Sequence, residues 1–165
     1  MSMDVESGSE RELLEGHLDG NRSEALRKVS GLDWDLAARR LGPSATSVAG
    51  VLKHLIDVER WWFRHYLEGE SDVPRHGRDQ SPNGPFDLDS DDDLDTLVTT
   101  YIMACADSRA ITARHDLSDR TTREVPWLGR HPSVRWILLH MIEETARHNG
   151  HLDIYRELLD GQIDD

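Results

Sequence analysis

The sequence is poor in the features that mark exported and membrane proteins. It holds a single cysteine, Cys105, so an intramolecular disulfide is impossible. Its longest apolar runs, such as residues 136–139, are far shorter than the roughly 20 residues that cross a bilayer. Residues 1–12 are acidic and polar, unlike a signal peptide. We therefore expect a cytoplasmic protein without a membrane partner.

Basic residues are also scarce. The chain has 19 Lys and Arg against 32 Asp and Glu, which gives a formal net charge of -13. Such a charge repels a phosphate backbone, so nucleic acid is excluded as the expected partner and a small molecule is favoured. A length of 165 residues suits one hydrophobic core, and we predict a single domain over residues 1–165.

The spacing of apolar residues predicts an all-α fold with no strand of any length. Four long helices are expected, with a short helical turn near 33–40 and a polar loop at 71–90. The segment 116–131 is expected to be extended or to form a short hairpin. Four long helices joined by loops indicate a four-helix bundle with long connections. The predicted helices cover about residues 9–29, 47–68, 91–114 and 133–160.

The last helix carries an unusual set of polar residues on its apolar face. At about 100° per residue, the inward stripe of this helix is centred close to Glu144, with His140, His148 and His151 within the same arc. Imidazole and carboxylate groups in such a position are costly unless a metal ion or another partner satisfies them. This pattern therefore favours a ligand site, although hydrogen-bonded core residues stay open as the alternative on helix geometry alone.

The spacing is compatible with one metal ion. Glu144 and His148 are four residues apart, so their Cβ atoms lie roughly 6 Å from each other and can share an ion. His54 lies at the edge of the apolar stripe of the second helix and offers a third ligand. Glu59, on the same side, could orient a ligand or pair with an inward arginine such as Arg147.

Two segments carry a family resemblance. SVAGVLKHLIDVERWWF (47–63) and HMIEETARHNGHLDIYRELLDG (140–161) resemble the DinB-like superfamily. The specific similarity is to its actinobacterial branch of unknown function, which is related to the metal-binding domains of mycothiol-dependent maleylpyruvate isomerases. GLDWDLAARRLGPSATS (31–47) is also similar to that branch. The resemblance covers nearly the whole chain.

The resemblance implies a DinB-like four-helix bundle that binds one divalent metal ion through His54, Glu144 and His148. Zinc is the expected ion, with nickel, manganese or iron as alternatives. His151 occupies the Gln position of the family's HRGQ-like motif, which here is HNGH. We predict His151 as the catalytic residue. Three other roles stay open for it: binding the metal in addition to Glu144, replacing Glu144 as a ligand, or contacting the substrate alone.

The resemblance also implies a function. A site with two His and one carboxylate leaves coordination positions open, as catalytic sites do. Relatives imply a low-molecular-weight thiol as cosubstrate, and hence a thiol-dependent transferase or isomerase that acts on a small electrophile. A non-catalytic metal or small-molecule binding or sensor protein, or a metal-dependent hydrolase, are the alternatives. The sequence does not separate these possibilities or decide whether the protein is an enzyme.

The remaining candidate residues receive structural assignments. Cys105 is expected to pack in the core rather than act as a nucleophile, and Trp62 is expected on the packed stripe. Trp127 could form a wall over the pocket. Trp61 lies off the main apolar stripe, which favours a homodimer that covers it. The other histidines are expected to be exposed or to lie in loops: His17, His65, His76, His115 and His131.

Overall fold

The computed structural model of the protein describes residues 7–42, 46–75 and 84–163. Helices dominate, and the described residues contain no strand beyond two isolated bridges. This confirms the predicted all-α fold. The α-helices are α1 (Glu10–Val29), α2 (Trp34–Ala37), α3 (Val48–Arg60), α4 (Leu94–Thr112) and α5 (Val134–Asp160). Helix α3 continues directly as a π-helix (Trp61–Leu67), and a 3-10 turn (Gly84–Phe86) precedes α4.

Local capping residues fix the ends of the long helices. Ser9, Ser47, Asp93 and Ser133 each accept a hydrogen bond from a backbone N–H in the first turn of their helix. Gly161 ends α5 in the left-handed conformation, with φ of +74°. The observed boundaries agree with the predicted ones to within a few residues, because these signals lie in the sequence next to the helices they delimit.

The helices pack in two pairs, α1 against α5 and α3 against α4. Two apolar clusters fill the interior, one around Leu52, Tyr101 and Leu152 and one around Phe63 and Met141. Cys105 belongs to the first cluster, and burial raises the pKa of its thiol to about 12. This thiol is therefore protonated and packed, as predicted. None of the helices in the described parts of the chain is both long and apolar enough to span a membrane.

The second helix departs from the predicted regular form. It was expected as one α-helix to residue 68, but its last seven residues, Trp61–Leu67, have π-helical hydrogen bonding. The wider turn changes the angular position of the side chains that follow residue 60, and π-helical turns occur frequently at functional sites. Sequence periodicity assumes about 3.6 residues per turn and therefore misses this change.

The connection between α4 and α5 folds back on itself with antiparallel pairing, but in place of the regular strands of a hairpin it has turns and isolated bridges. Two isolated bridges, Arg120 with Ser133 and Val125 with Arg130, join its two sides, and side-chain hydrogen bonds of Arg120 and His131 add to them. Backbone N–H groups of residues 122 and 123 donate to carbonyl oxygens of the π-helix, which fixes the connection beside it. Residues 76–83 of the predicted loop, with His76, lie outside the described residues.

Candidate metal centre

The structure brings together the three residues predicted to bind a metal ion. His54 on α3 places Nε2 3.0 Å from Glu144 Oε1, and His148 places Nε2 3.2 Å from the same oxygen. One candidate ligand atom from each of the three lies within 4.8 Å of the other two. Metal binding itself stays a prediction, since this geometry shows only that the three donors converge.

The charge state of Glu144 suits such a role. Hydrogen bonds from His148 and then from His54 hold the pKa of the Glu144 carboxyl well below its usual range. The carboxylate is therefore ionised at neutral pH. Two imidazoles and one carboxylate form a donor set that mid-row divalent ions accept. The Nδ1 atom of His54 is buried and has no hydrogen-bond partner among the residues that the structure describes, so this imidazole is incompletely satisfied there.

The face of α5 differs from the prediction in one respect. Its buried stripe runs through Met141, Thr145, His148 and Leu152, and its centre lies about 80° around the helix from Glu144. Placing Glu144 at the centre was therefore wrong. Buried polar residues such as Asn149, which donates to a backbone oxygen of α1, belong to this stripe, and apolar periodicity does not count them. Glu144 instead lies on the flank of the stripe.

His151 lies beside the three donors and is exposed. Its Nδ1 atom is 3.4 Å from Nδ1 of His148, on the opposite ring edge from the nitrogen that faces Glu144. Burial and the neighbouring His148 lower the pKa of His151. His151 therefore contacts a candidate ligand rather than joining the three convergent donors.

Glu59 does not face the donors or Arg147. Its two carboxylate oxygens accept hydrogen bonds of 2.7 Å and 2.6 Å from Arg22 on α1, and both side chains are buried. Arg147 contacts Glu143 and Glu144 from the exposed side. The suggested pairing with Arg147 was therefore wrong, because the partner comes from a distant helix that periodicity does not place.

A cavity of about 300 Å³ opens beside the donors. His54 and Glu144 form part of its wall, and tryptophan side chains form another part. Trp127 is among them, as predicted, and 59% of its surface is exposed. The remaining lining residues are Asp57, Val58, Trp61, Trp62, Arg75, Pro85 and His140.

His140 is one of the cavity residues to which the sequence assigned no individual role. Its ring stacks on Trp136 with centroids 5.0 Å apart and meets the ring of Trp62 edge-on at 4.7 Å. Burial lowers the pKa of His140, so the imidazole is neutral at pH 7. Its position four residues before Glu144 was visible in the sequence as one more polar group on the same helical face.

The 3-10 turn (Gly84–Phe86) packs against the rings of His54 and His148. The ring of Phe86 lies 4.6 Å from His54 and 5.8 Å from His148. A Cβ atom at Gly50 would lie 2.4 Å from the carbonyl oxygen of Phe86, so glycine permits this close approach. Lys53, which pairs with two aspartates of the following segment, holds the turn against α3.

The other histidines lie away from the convergent donors. His17 is exposed, whereas His65, His115 and His131 are partly buried. His65 stacks on Trp61, His115 pairs with a glutamate, and His131 contacts a backbone oxygen. The expectation that all were exposed or in loops therefore holds for His17, which is exposed, and for His115 and His131, which lie in the connection between α4 and α5, and it fails for the partly buried His65, which lies in the π-helix.

Comparison with known proteins gives a family match over most of the chain. A family model described as "MST: Mycothiol-S-transferase" matches residues 13–161. The matched range includes His54, Glu144 and His148 and all the residues that line the cavity. No match was found among curated proteins.

Proposed function

This chain belongs to the mycothiol-S-transferase family, and from that membership we propose that it joins a mycothiol-type thiol to a small electrophile at a metal centre formed by His54, Glu144 and His148. Membership confirms the resemblance to a mycothiol-related DinB-like protein. The observation that carries the proposal is the convergence of two imidazoles and one carboxylate at the wall of a cavity of about 300 Å³. That volume is at the lower end of the range for small-molecule sites.

The donor set decides what an ion could do there. Three protein ligands leave coordination positions open, and the cavity gives a small molecule access to them. A divalent ion, with zinc first and nickel, manganese or iron as alternatives, would act as a Lewis acid and favour the thiolate form of a thiol in the cavity. The ion and its identity are part of the proposal.

Two further histidines complete the proposed site. His140 lines the cavity one helical turn before Glu144, and we propose that its imidazole accepts the proton that the thiol releases. His151 contacts Nδ1 of His148 and would orient that imidazole instead of meeting substrate. The sequence predicted His151 as the catalytic residue; the geometry supports a positioning role for it.

The location and assembly of the protein also remain proposals. A cytoplasmic protein and a homodimer were predicted, the latter because Trp61 was expected to be exposed. In the structure Trp61 is partly buried, stacks on His65 and lines the cavity. Trp61 therefore no longer supports the dimer, and light scattering at high micromolar concentration decides between one and two chains.

The proposal is tested by metal analysis and adduct formation together. We expect about one divalent ion per chain in native or reconstituted protein, and a thioether adduct detected by mass spectrometry only when both mycothiol and electrophile are present. His54→Ala and His148→Ala should lose the ion and the adduct. His17→Ala is the matched control, since His17 is an exposed histidine on α1, and should keep both.

The alternative functions give different outcomes in the same assay. A binding or sensor protein would hold metal and thiol without producing adduct, and a metal-dependent hydrolase would turn over its substrate without thiol. Protein that binds no metal under any of these conditions would show that the proposed centre is wrong.

A further inference from the structure

The cavity continues outward past the metal donors. Trp61, Arg75 and Trp127 line both the cavity of about 300 Å³ and a neighbouring hollow of about 610 Å³. These three side chains therefore stand at the junction between the inner cavity and the outer surface. A molecule that reaches His54 and Glu144 from this side contacts them first.

Within the part of the chain that the structure describes, Arg75 contacts an aromatic ring instead of a carboxylate, although the sequence is acidic. Its guanidinium carbon lies 4.3 Å from the centroid of the Trp61 ring. Among the described residues, no carboxylate pairs with it and no oxygen accepts a hydrogen bond from it, although the chain has 32 acidic residues. The cation–π contact uses the face of the guanidinium and leaves its N–H edges available to an anion.

Trp127 supplies an exposed aromatic surface at the same junction. It meets Trp62 and Tyr66 edge-on, with centroids 6.0 Å and 5.8 Å away and interplanar angles near 80°. Its exposure, 59%, is high for so large an apolar side chain. An exposed aromatic ring next to a cavity is a surface on which a flat ligand can stack.

We propose that Arg75 and Trp127 form the subsite for the second substrate, a planar aromatic electrophile that carries a carboxylate or another anionic group. This inference rests on the proposed function and names its substrate class. The aromatic ring stacks on Trp127, the anionic group accepts hydrogen bonds from Arg75, and the reactive carbon points inward toward His54 and Glu144. A bidentate guanidinium contact fixes the orientation of a carboxylate as well as its charge.

An aryl chloride shows the chemistry that the subsite would serve. The thiol sulfur forms a bond to the ring carbon that bears chlorine, and chloride leaves with the electron pair of the carbon–chlorine bond. The thiol proton passes to His140 and from there to solvent. No oxidant or reductant is needed.

Binding is tested first, without thiol and without added metal. The probes are 4-chloro-3-nitrobenzoate and its neutral isostere 4-chloro-3-nitrobenzamide, titrated by calorimetry. We expect the acid to bind about tenfold more tightly than the amide, because only the acid forms a charge-assisted contact with Arg75. Arg75→Gln should reduce this preference to less than about twofold, and Arg75→Lys should give an intermediate value.

Two variants separate the roles of charge and stacking. Arg39→Gln removes an exposed arginine that does not line the cavity and should leave the preference unchanged. Trp127→Leu should weaken acid and amide alike, by about fivefold, because stacking does not depend on the anionic group. Equal affinities of the wild-type protein for acid and amide, or a preference that survives Arg75→Gln, would overturn the inference.

The thiol reaction then distinguishes this inference from the proposed function. Adducts that form equally well with the acid and the amide would leave the transferase standing and overturn the subsite. Arg75-dependent binding of the acid with no adduct under any metal would support the subsite and contradict the transferase.

Discussion

Two glutamates reach the interior of the bundle, and their surroundings differ. Glu59 on α3 accepts hydrogen bonds through both oxygens from one guanidinium, that of Arg22, and the pair is closed to solvent. Glu144 on α5 meets two imidazoles through a single oxygen and borders a cavity. Both residues had looked similar in the sequence, as carboxylates on an apolar face.

The comparison shows that the partner, in addition to burial, separates a structural carboxylate from a candidate functional one. Arg22 keeps its charge at any accessible pH and binds both Glu59 oxygens in a fixed fork, so neither oxygen is free to bind a ligand. Imidazoles have a free lone pair when neutral, so His54 and His148 can exchange their contact with Glu144 for a shared ion. The Arg22–Glu59 pair stabilises the fold, whereas the group of His54, Glu144 and His148 is the proposed binding site.

The largest expected effect on stability comes from breaking the buried ion pair of Arg22 and Glu59. Arg22→Met leaves the Glu59 carboxylate buried without its partner, and we expect it to lower the free energy of unfolding by about 3–5 kcal/mol. Metal content of the protein that remains folded should not change. Urea unfolding followed by circular dichroism measures the effect.

Two further variants test the cause of that loss. Arg27→Ala removes an exposed arginine of the same helix, which pairs with Glu24 one turn earlier, and should change stability by less than about 0.5 kcal/mol. Arg22→Met combined with Glu59→Leu removes both charges and should recover much of the loss. Failure of the double variant to recover stability would show that packing of the arginine stem, rather than its charge, is responsible.

A smaller effect on stability is expected when metal is removed from the open cluster, which consists of His54, Glu144 and His148. The apolar clusters around Leu52 and Phe63 do not depend on an ion, and the three donors already contact one another without it. We therefore expect a chelator to leave the helix content unchanged. Stability should fall by about 2.7 kcal/mol relative to protein with free metal at 100 times its Kd. Thermal unfolding with and without chelator measures this, and cooperative unfolding on chelation alone would show that the ion holds the bundle together.

The sequence predicted the features that depend on neighbouring residues. The caps at Ser47, Ser133 and Gly161 and the four-residue spacing of Glu144 and His148 are local, so the helices and the convergent pair on α5 could be predicted. The position of His54 followed from the amphipathic pattern of its helix. These elements predicted the all-α fold, and together with the family resemblance they predicted the three donors.

The missed features depend on contacts between distant segments. The partner of Glu59 comes from a helix 37 residues earlier in the chain, and Arg75 reaches the cavity from a loop. The π-helix changes the period on which the prediction relied. The buried stripe of α5 is displaced because hydrogen-bonded Asn149 and Arg156 form part of it.

The smallest expected effect concerns His151, at the edge of the open cluster. If His151 orients His148 through the 3.4 Å contact between their Nδ1 atoms, a glutamine there can accept the same hydrogen bond through its amide oxygen. His151→Gln should then keep the metal and change the rate of thiol adduct formation by less than about tenfold.

Glu144→Gln removes a negatively charged ligand from the centre and should lose the ion. Elemental analysis of both variants, with visible spectroscopy of their cobalt-substituted forms, separates the two roles. Loss of metal in His151→Gln with retention in Glu144→Gln would instead make His54, His148 and His151 the ligands, and the carboxylate would then pair with the imidazoles, as a structural residue comparable to Glu59.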